Sequence, residues 1–177
     1  MVTIWFEPHS TTTDNEAKLA SGWNDVDLSE TGMEQTIEPV QRSAERGIEV
    51  IFSSDLQRAV KTATPTATKM KIPIYIDKRL RECDYGELTQ QPKQVVEKQK
   101  ANRIDEPFPG GESYESCMAR MGEFLSWLKK DFDGKTVMVV GHRATQYGLE
   151  HHIKGVKIKD AVTAPWAYQP GWRYELL

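Results

Sequence analysis

Apolar residues along this chain fall into two rhythms. Short apolar runs at Val2 to Phe6, Ile48 to Phe52, Ile72 to Ile76 and Lys135 to Val140 end at or near proline, serine or glycine, as strands buried in a parallel sheet should. Between them the spacing changes to three and four. Tyr114, Cys117, Met118, Met121, Phe124, Leu125 and Leu128 repeat at helical intervals behind Ser113, a good N-cap, and so predict a helix with one core stripe. Met33, Ile37, Val40 and Ala44 predict a second buried stripe, opened by a capping box at Thr31 and Glu34, with Pro39 demanding a kink or a later start. Val60, Ala63, Ala67 and Met70 mark a third helix, capped through Ser54 and Gln57 and expected to bend at Pro65. Gln90 to Asn102 is polar and helical in pattern, another helix runs through Tyr147, Leu149 and Ile153, and the aromatic tail reads as a covering loop and a last strand. Strands alternating with helices predict an α/β protein: a three-layer α/β/α sandwich with a central, mostly parallel sheet, in one domain over residues 1–177.

Composition narrows the class of function. The 177 residues include 26 acidic and 23 basic side chains, a formal charge of -3, so no bulk basic field invites nucleic acid or an anionic membrane. An anionic substrate has to be met locally. Cys83 and Cys117 are too few for a disulfide framework or a zinc site and suit a reducing compartment. Met1 leads straight into a strand and no apolar stretch is long enough to span a bilayer, so the expectation is a soluble, cytoplasmic protein. The sequence leaves a homodimer open.

Four polar residues fall at element ends: His9, Arg58, Glu82 and His142, each after a different predicted strand. Ligands of parallel α/β sheets bind outside the carboxyl ends of the strands, which makes this a site-like distribution. Two imidazoles, a guanidinium and a carboxyl group suit phosphoryl transfer through a covalent intermediate, with an imidazole as nucleophile and an acid to protonate the departing alkoxide. His151 and His152 are sequence neighbours that diverge around a helix, which favours packing or surface roles over a metal site.

Several stretches carry a resemblance. His9 with Asn15 six residues on, Gly22-Trp23, Asp27-Leu28-Ser29-Glu30-Thr31-Gly32, Ser53 to Ala59, Arg79-Leu80-Arg81-Glu82, Pro109-Gly110-Gly111-Glu112-Ser113 and Val139-Val140-Gly141-His142 recur in this order in the histidine phosphatase superfamily. The chain resembles that family along most of its length. The resemblance implies that His9 is the histidine that becomes phosphorylated and that Arg58 binds phosphate. Glu82 corresponds to the general acid or base, His142 to the second histidine on the phosphoryl oxygens, and Asn15 lies in the phosphate-binding region. It implies no metal and no cofactor. Two positions depart from the pattern: Pro8 stands where the family has arginine, and Ser10 where it has glycine. Arg143, or the hydroxyls and amides from Ser10 to Thr12, are the candidates to replace the lost guanidinium. The implied function is metal-independent hydrolysis of a small phosphorylated metabolite through phosphohistidine. The alternative is a weakened or inactive member that binds a phosphorylated ligand or a protein partner. A mutase fits less well, because little insertion lies between Arg81 and Pro107 to keep water out. Specificity is expected in the loop after Tyr85, around Asn102 to Phe108, and in the tail with Trp166 and Trp172.

Overall fold

The computed structural model describes residues 1–177. Its elements run β1 (Val2–Pro8), α1 (Thr13–Ala17), α2 (Glu30–Gln35), α3 (Ile37–Glu45), β2 (Val50–Ser53), α4 (Gln57–Met70), β3 (Ile74–Ile76), α5 (Lys93–Gln99), α6 (Tyr114–Asp131), β4 (Thr136–Gly141), α7 (Arg143–Lys154), α8 (Ile158–Thr163) and β5 (Trp172–Leu176). The five strands form one sheet in the order β3-β2-β4-β1-β5. All neighbours are parallel except β5, which closes the edge antiparallel to β1.

Alternation along the central strands builds the three layers. Val137 and Val139 of β4 join Phe6, Phe52 and the α6 stripe on one face, while Met138 and Val140 meet Ala59 and Ala63 of α4 on the other. The predicted α6 stripe is buried at every one of its seven positions. A third cluster, with Cys83, Tyr85, Phe108, Tyr114 and Tyr147, packs the long loops over the end of this core.

The second predicted stripe is wrong by one residue. Met33 and Ile37 are about half exposed and Ala44 is exposed; Gly32, Thr36, Pro39 and Ser43, the same spacing one position earlier, face inward. Close approach explains the rotation of the helix. A Cβ on Gly32 would lie 1.8 Å from the Thr11 carbonyl oxygen, so only glycine lets α2 lie on the loop that follows β1. The cap is Ser29, whose hydroxyl accepts from the Gly32 N–H, and not Thr31. The chain breaks at Thr36 and α3 starts afresh, which puts Pro39 in a first turn where its missing N–H forfeits no helical bond. In α4 the expected box at Ser54 and Gln57 is also absent: the Gln57 N–H donates instead to Asp25 Oδ1 at 2.7 Å, and the helix continues through Pro65 to Met70 without a break.

These faces carry opposite expectations for stability. Phe124→Ala, which empties a fully buried site, should cost about 3–5 kcal/mol, whereas Ile37→Ala should stay within about 0.5 kcal/mol of wild type, both read from denaturant midpoints.

Candidate active site

Parallel pairing of β1 with β4 places Pro8 opposite Gly141, so the two chains turn off the sheet side by side. The residues that follow are the two histidines. His9 N–H donates to the Gly141 carbonyl at 3.0 Å, and the rings of His9 and His142 lie 5.1 Å apart, centroid to centroid, tilted by 52°. Gly141 is required here for space. A Cβ would meet Thr145 Oγ1 at 2.4 Å, and that hydroxyl accepts from the His142 N–H at 2.9 Å while donating to the Leu80 carbonyl at 2.8 Å. One threonine thus ties the second histidine to the segment that carries Glu82.

The tautomer of His9 follows from its partner. Nδ1 lies 2.8 Å from the Ser10 carbonyl oxygen, which can only accept, so Nδ1 carries the proton and Nε2 keeps a free lone pair. Burial, and then the nearby Arg58 guanidinium, lower the His9 pKa to about 3 against a small opposing effect of the Ser10 bond. His142 is pushed well below its ordinary value by burial, Arg58 and His9, and neither of its ring nitrogens has a hydrogen-bond partner within the protein. Both imidazoles are therefore neutral across the physiological range.

Arg58, at the start of α4, is buried and aimed by backbone alone: Nη1 donates to the Asn24 carbonyl and Nη2 to the Gly22 carbonyl, each at 2.8 Å. Burial lowers its pKa, opposed by Glu82 and Tyr85 foremost, from a starting value so high that the group stays charged. Glu82 is buried at the N-terminus of α7. Its Oε1 accepts from the Cys83 and Ala144 N–H groups at 2.8 and 3.1 Å, and its Oε2 from the Arg143 N–H at 3.2 Å. All four predicted catalytic residues thus line one cavity of about 530 Å³.

The three residues expected at the phosphate are placed differently. Ser10 lines the cavity, and its N–H is already taken by Thr62 Oγ1. Asn15 also lines it, but its side chain closes a capping box with Thr12 at the start of α1. Arg143 reaches the cavity with its guanidinium over the rings of Trp166 and Tyr147, on the side of the tail. The specificity segments are corrected in part. Tyr85, Trp166 and Tyr168 line the cavity, whereas Trp172 and residues 102–108 do not; α5 supplies Lys93, Val96 and Glu97 in their place, followed by Lys100.

Sequence reasoning missed the residues that work across long separations. Glu7 is buried beside His9, and its charge is met by two guanidinium groups one turn apart: Arg42 of α3 at 3.1 Å and Arg46, which caps that helix, at 2.7 Å. Arg42 also lines the cavity, shared between Glu7 and Glu38, so this part of the wall is a network of paired charges. Arg120 of α6 donates to the carbonyls of Arg79 and Arg81 at 2.7 Å and of Glu82 at 2.9 Å, while pairing with Glu112. The same guanidinium donates to Cys117 Sγ, so it is the cation among Cys83, Glu112 and Cys117. Asp55 holds Arg81 through two bonds of 2.7 Å. The i,i+4 spacing of Arg42 and Arg46 was the one signal in the sequence for any of these pairings.

Comparison with known proteins agrees with this geometry. The family model described as histidine phosphatase superfamily (branch 1) matches residues 4–168. A 2,3-bisphosphoglycerate-dependent phosphoglycerate mutase from Streptococcus pneumoniae (strain Hungary19A-6) is 38% identical over 198 residues, covering 88% of this chain and 85% of that protein. Among solved structures, Bacillus stearothermophilus YhfR superposes with a TM-score of 0.82 at 23% identity, covering 96% of this chain and 88% of that one. A mycobacterial glucosyl-3-phosphoglycerate phosphatase in complex with VO3 gives 0.81 at 21%, covering 92% and 85%. These last two are likenesses of fold.

The lowered histidines make stability depend on pH. Between about 3 and 6.5 the unfolded chain binds a proton at His9 that the folded chain refuses, so stability is full above pH 6.5 and falls as the pH drops toward 3. His9→Asn should flatten that part of the curve. Unfolding free energies of both proteins at pH 4.5 and 7 measure it.

Proposed function

Because the chain belongs to the histidine phosphatase superfamily, we propose that it is a metal-independent phosphomonoesterase that hydrolyses a small phosphorylated metabolite through a phosphohistidine at His9. The observation that carries this reading is the His9 imidazole itself: neutral, proton on Nδ1, Nε2 unpaired, and facing a second neutral imidazole with a buried guanidinium close by. In the first step the Nε2 lone pair attacks phosphorus and the P–O bond to the leaving group breaks. Arg58 and His142 hold the equatorial oxygens, and Glu82 passes to the departing alkoxide a proton that a monoanionic phosphoester brings with it. In the second step water attacks phosphorus, Glu82 takes its proton and passes it to the phosphate, the P–N bond breaks, and monoanionic phosphate departs with His9 neutral and Glu82 ionised again.

Hydrolysis is favoured over mutase transfer by what this chain lacks. The alignment with the pneumococcal mutase runs over 198 residues, more than the 177 of the entire chain, so the mutase carries segments with no counterpart here. The cavity mouth is lined by exposed Lys18, Lys93 and Tyr168, which leave water a path to the intermediate. Pro8 supports the second reading, a phosphate-binding member without efficient turnover, because it removes a guanidinium from the nucleophile's own strand.

A phosphatase screen without added metal separates the two. Turnover should be lost in His9→Ala, and acid-labile phosphate should be trapped on the wild-type chain alone; binding of phosphoesters with no turnover would establish the second reading. Arg58→Ala should lower kcat by about 10²–10³-fold. Arg143→Ala should act chiefly by raising KM, since its guanidinium faces the tail; a fall in kcat as deep as that of Arg58→Ala would assign it to the transferred phosphoryl group instead.

A further inference from the structure

We infer that Thr62 is a positioning residue, whose single hydroxyl sets the His9 imidazole in register with the helix that carries Arg58; the inference rests on the phosphohistidine reading above. Thr62 lies in the second turn of α4 and is buried. Its Oγ1 accepts from the Ser10 N–H at 2.9 Å and donates to the Arg58 carbonyl at 2.7 Å. The Ser10 carbonyl in turn accepts from His9 Nδ1–H at 2.8 Å. Three hydrogen bonds therefore run from the backbone of Arg58 to the nucleophile's ring.

Each link has one direction. An amide N–H can only donate and a carbonyl can only accept, so Thr62 must offer a lone pair to Ser10 and its proton to Arg58. Only a hydroxyl of this reach does both. The Ser10 N–H belongs to the peptide before it and the Ser10 carbonyl to the peptide after it, whose Thr11 N–H donates to Gln35 Oε1 at 3.0 Å. With Thr62 holding the first plane and Gln35 the second, the carbonyl is aimed at Nδ1, and that bond keeps the proton on Nδ1 and the lone pair on Nε2. Ser10 enters this chain through its backbone alone, which is why a side chain there is compatible with it.

Thr62→Val keeps the shape and removes both bonds; Thr62→Ser keeps both. In single-turnover assays with a chromogenic aryl phosphate, Thr62→Val should slow phosphohistidine formation by about 10²-fold, the scale of a 1 Å misplacement, while Thr62→Ser stays within about threefold of wild type. Nitrogen-15 spectra of the histidines, with His9→Asn for assignment, give a readout that needs no turnover. They should show one Nδ1–H tautomer for His9 in wild type and Thr62→Ser, and a mixture in Thr62→Val. An unchanged tautomer in Thr62→Val, or a loss in Thr62→Ser as large as in Thr62→Val, overturns the inference. Tautomer mixing in a protein without phosphatase activity would uphold it and reject the phosphatase reading. Should Thr62→Val fail to fold, Thr62→Cys, which retains volume with a weak donor, serves for the same measurements.

Discussion

The site depends on the parallel pairing of β1 with β4. In a parallel pair both chains leave the sheet at the same edge, so the register that sets Pro8 against Gly141 also sets His9 against His142. Neither imidazole reaches the other through a loop or a helix of its own. The pairing holds because both strands are apolar where they meet the core on either face, and because α6 and α4 cover those faces. A slip of one residue would turn the whole set of core side chains over and separate the rings at the same time.

Burial at that edge does chemical work. It keeps both imidazoles neutral, and Arg58 beside them adds to the effect. Burial also puts Glu7 under constraint. A carboxylate two residues before His9 and nearly inaccessible needs opposite charge, which Arg42 and Arg46 bring from the last turn and C-cap of α3. Arg42 lines the cavity from the helix above, held there between Glu7 and Glu38.

Much of what makes the chain resemble its family turns out to be scaffolding for four residues. Gly32 lets α2 lie against the loop after His9, Gly141 lets Thr145 reach the His142 amide and the Leu80 carbonyl, and Asp55 fixes Arg81. Glu112, from the Pro109 to Ser113 stretch, holds Arg120, which clamps the carbonyls of Arg79, Arg81 and Glu82. Rigid support of this kind is what keeps a buried carboxylate at the mouth of α7, where three amide groups point at it.

Local patterns were legible where one physical term dominated. The α6 stripe could be read because seven apolar side chains at helical spacing have one low-energy arrangement, and the β2 and β4 runs because apolar residues buried on both faces leave no alternative. The run at β3 is instead an exposed edge, with Tyr75 and Ile76 about half exposed. The four candidate catalytic residues could be read because strand ends and family motifs coincide there. The stripe of α2 and α3 could not, because small residues facing inward are favoured by close backbone approach, which hydrophobicity does not record. Thr62, Arg42 and Arg120 were hidden for a related reason: their partners lie 52, 35 and 38 residues away in sequence. By itself, then, the sequence determined the layers of the sheet and which imidazole, guanidinium and carboxyl groups could meet at its edge. Only the tertiary structure decided which nitrogen of His9 carries the proton, what neutralises Glu7, and what holds Glu82 in place, since hydrogen-bond direction and burial exist only once distant segments are packed together.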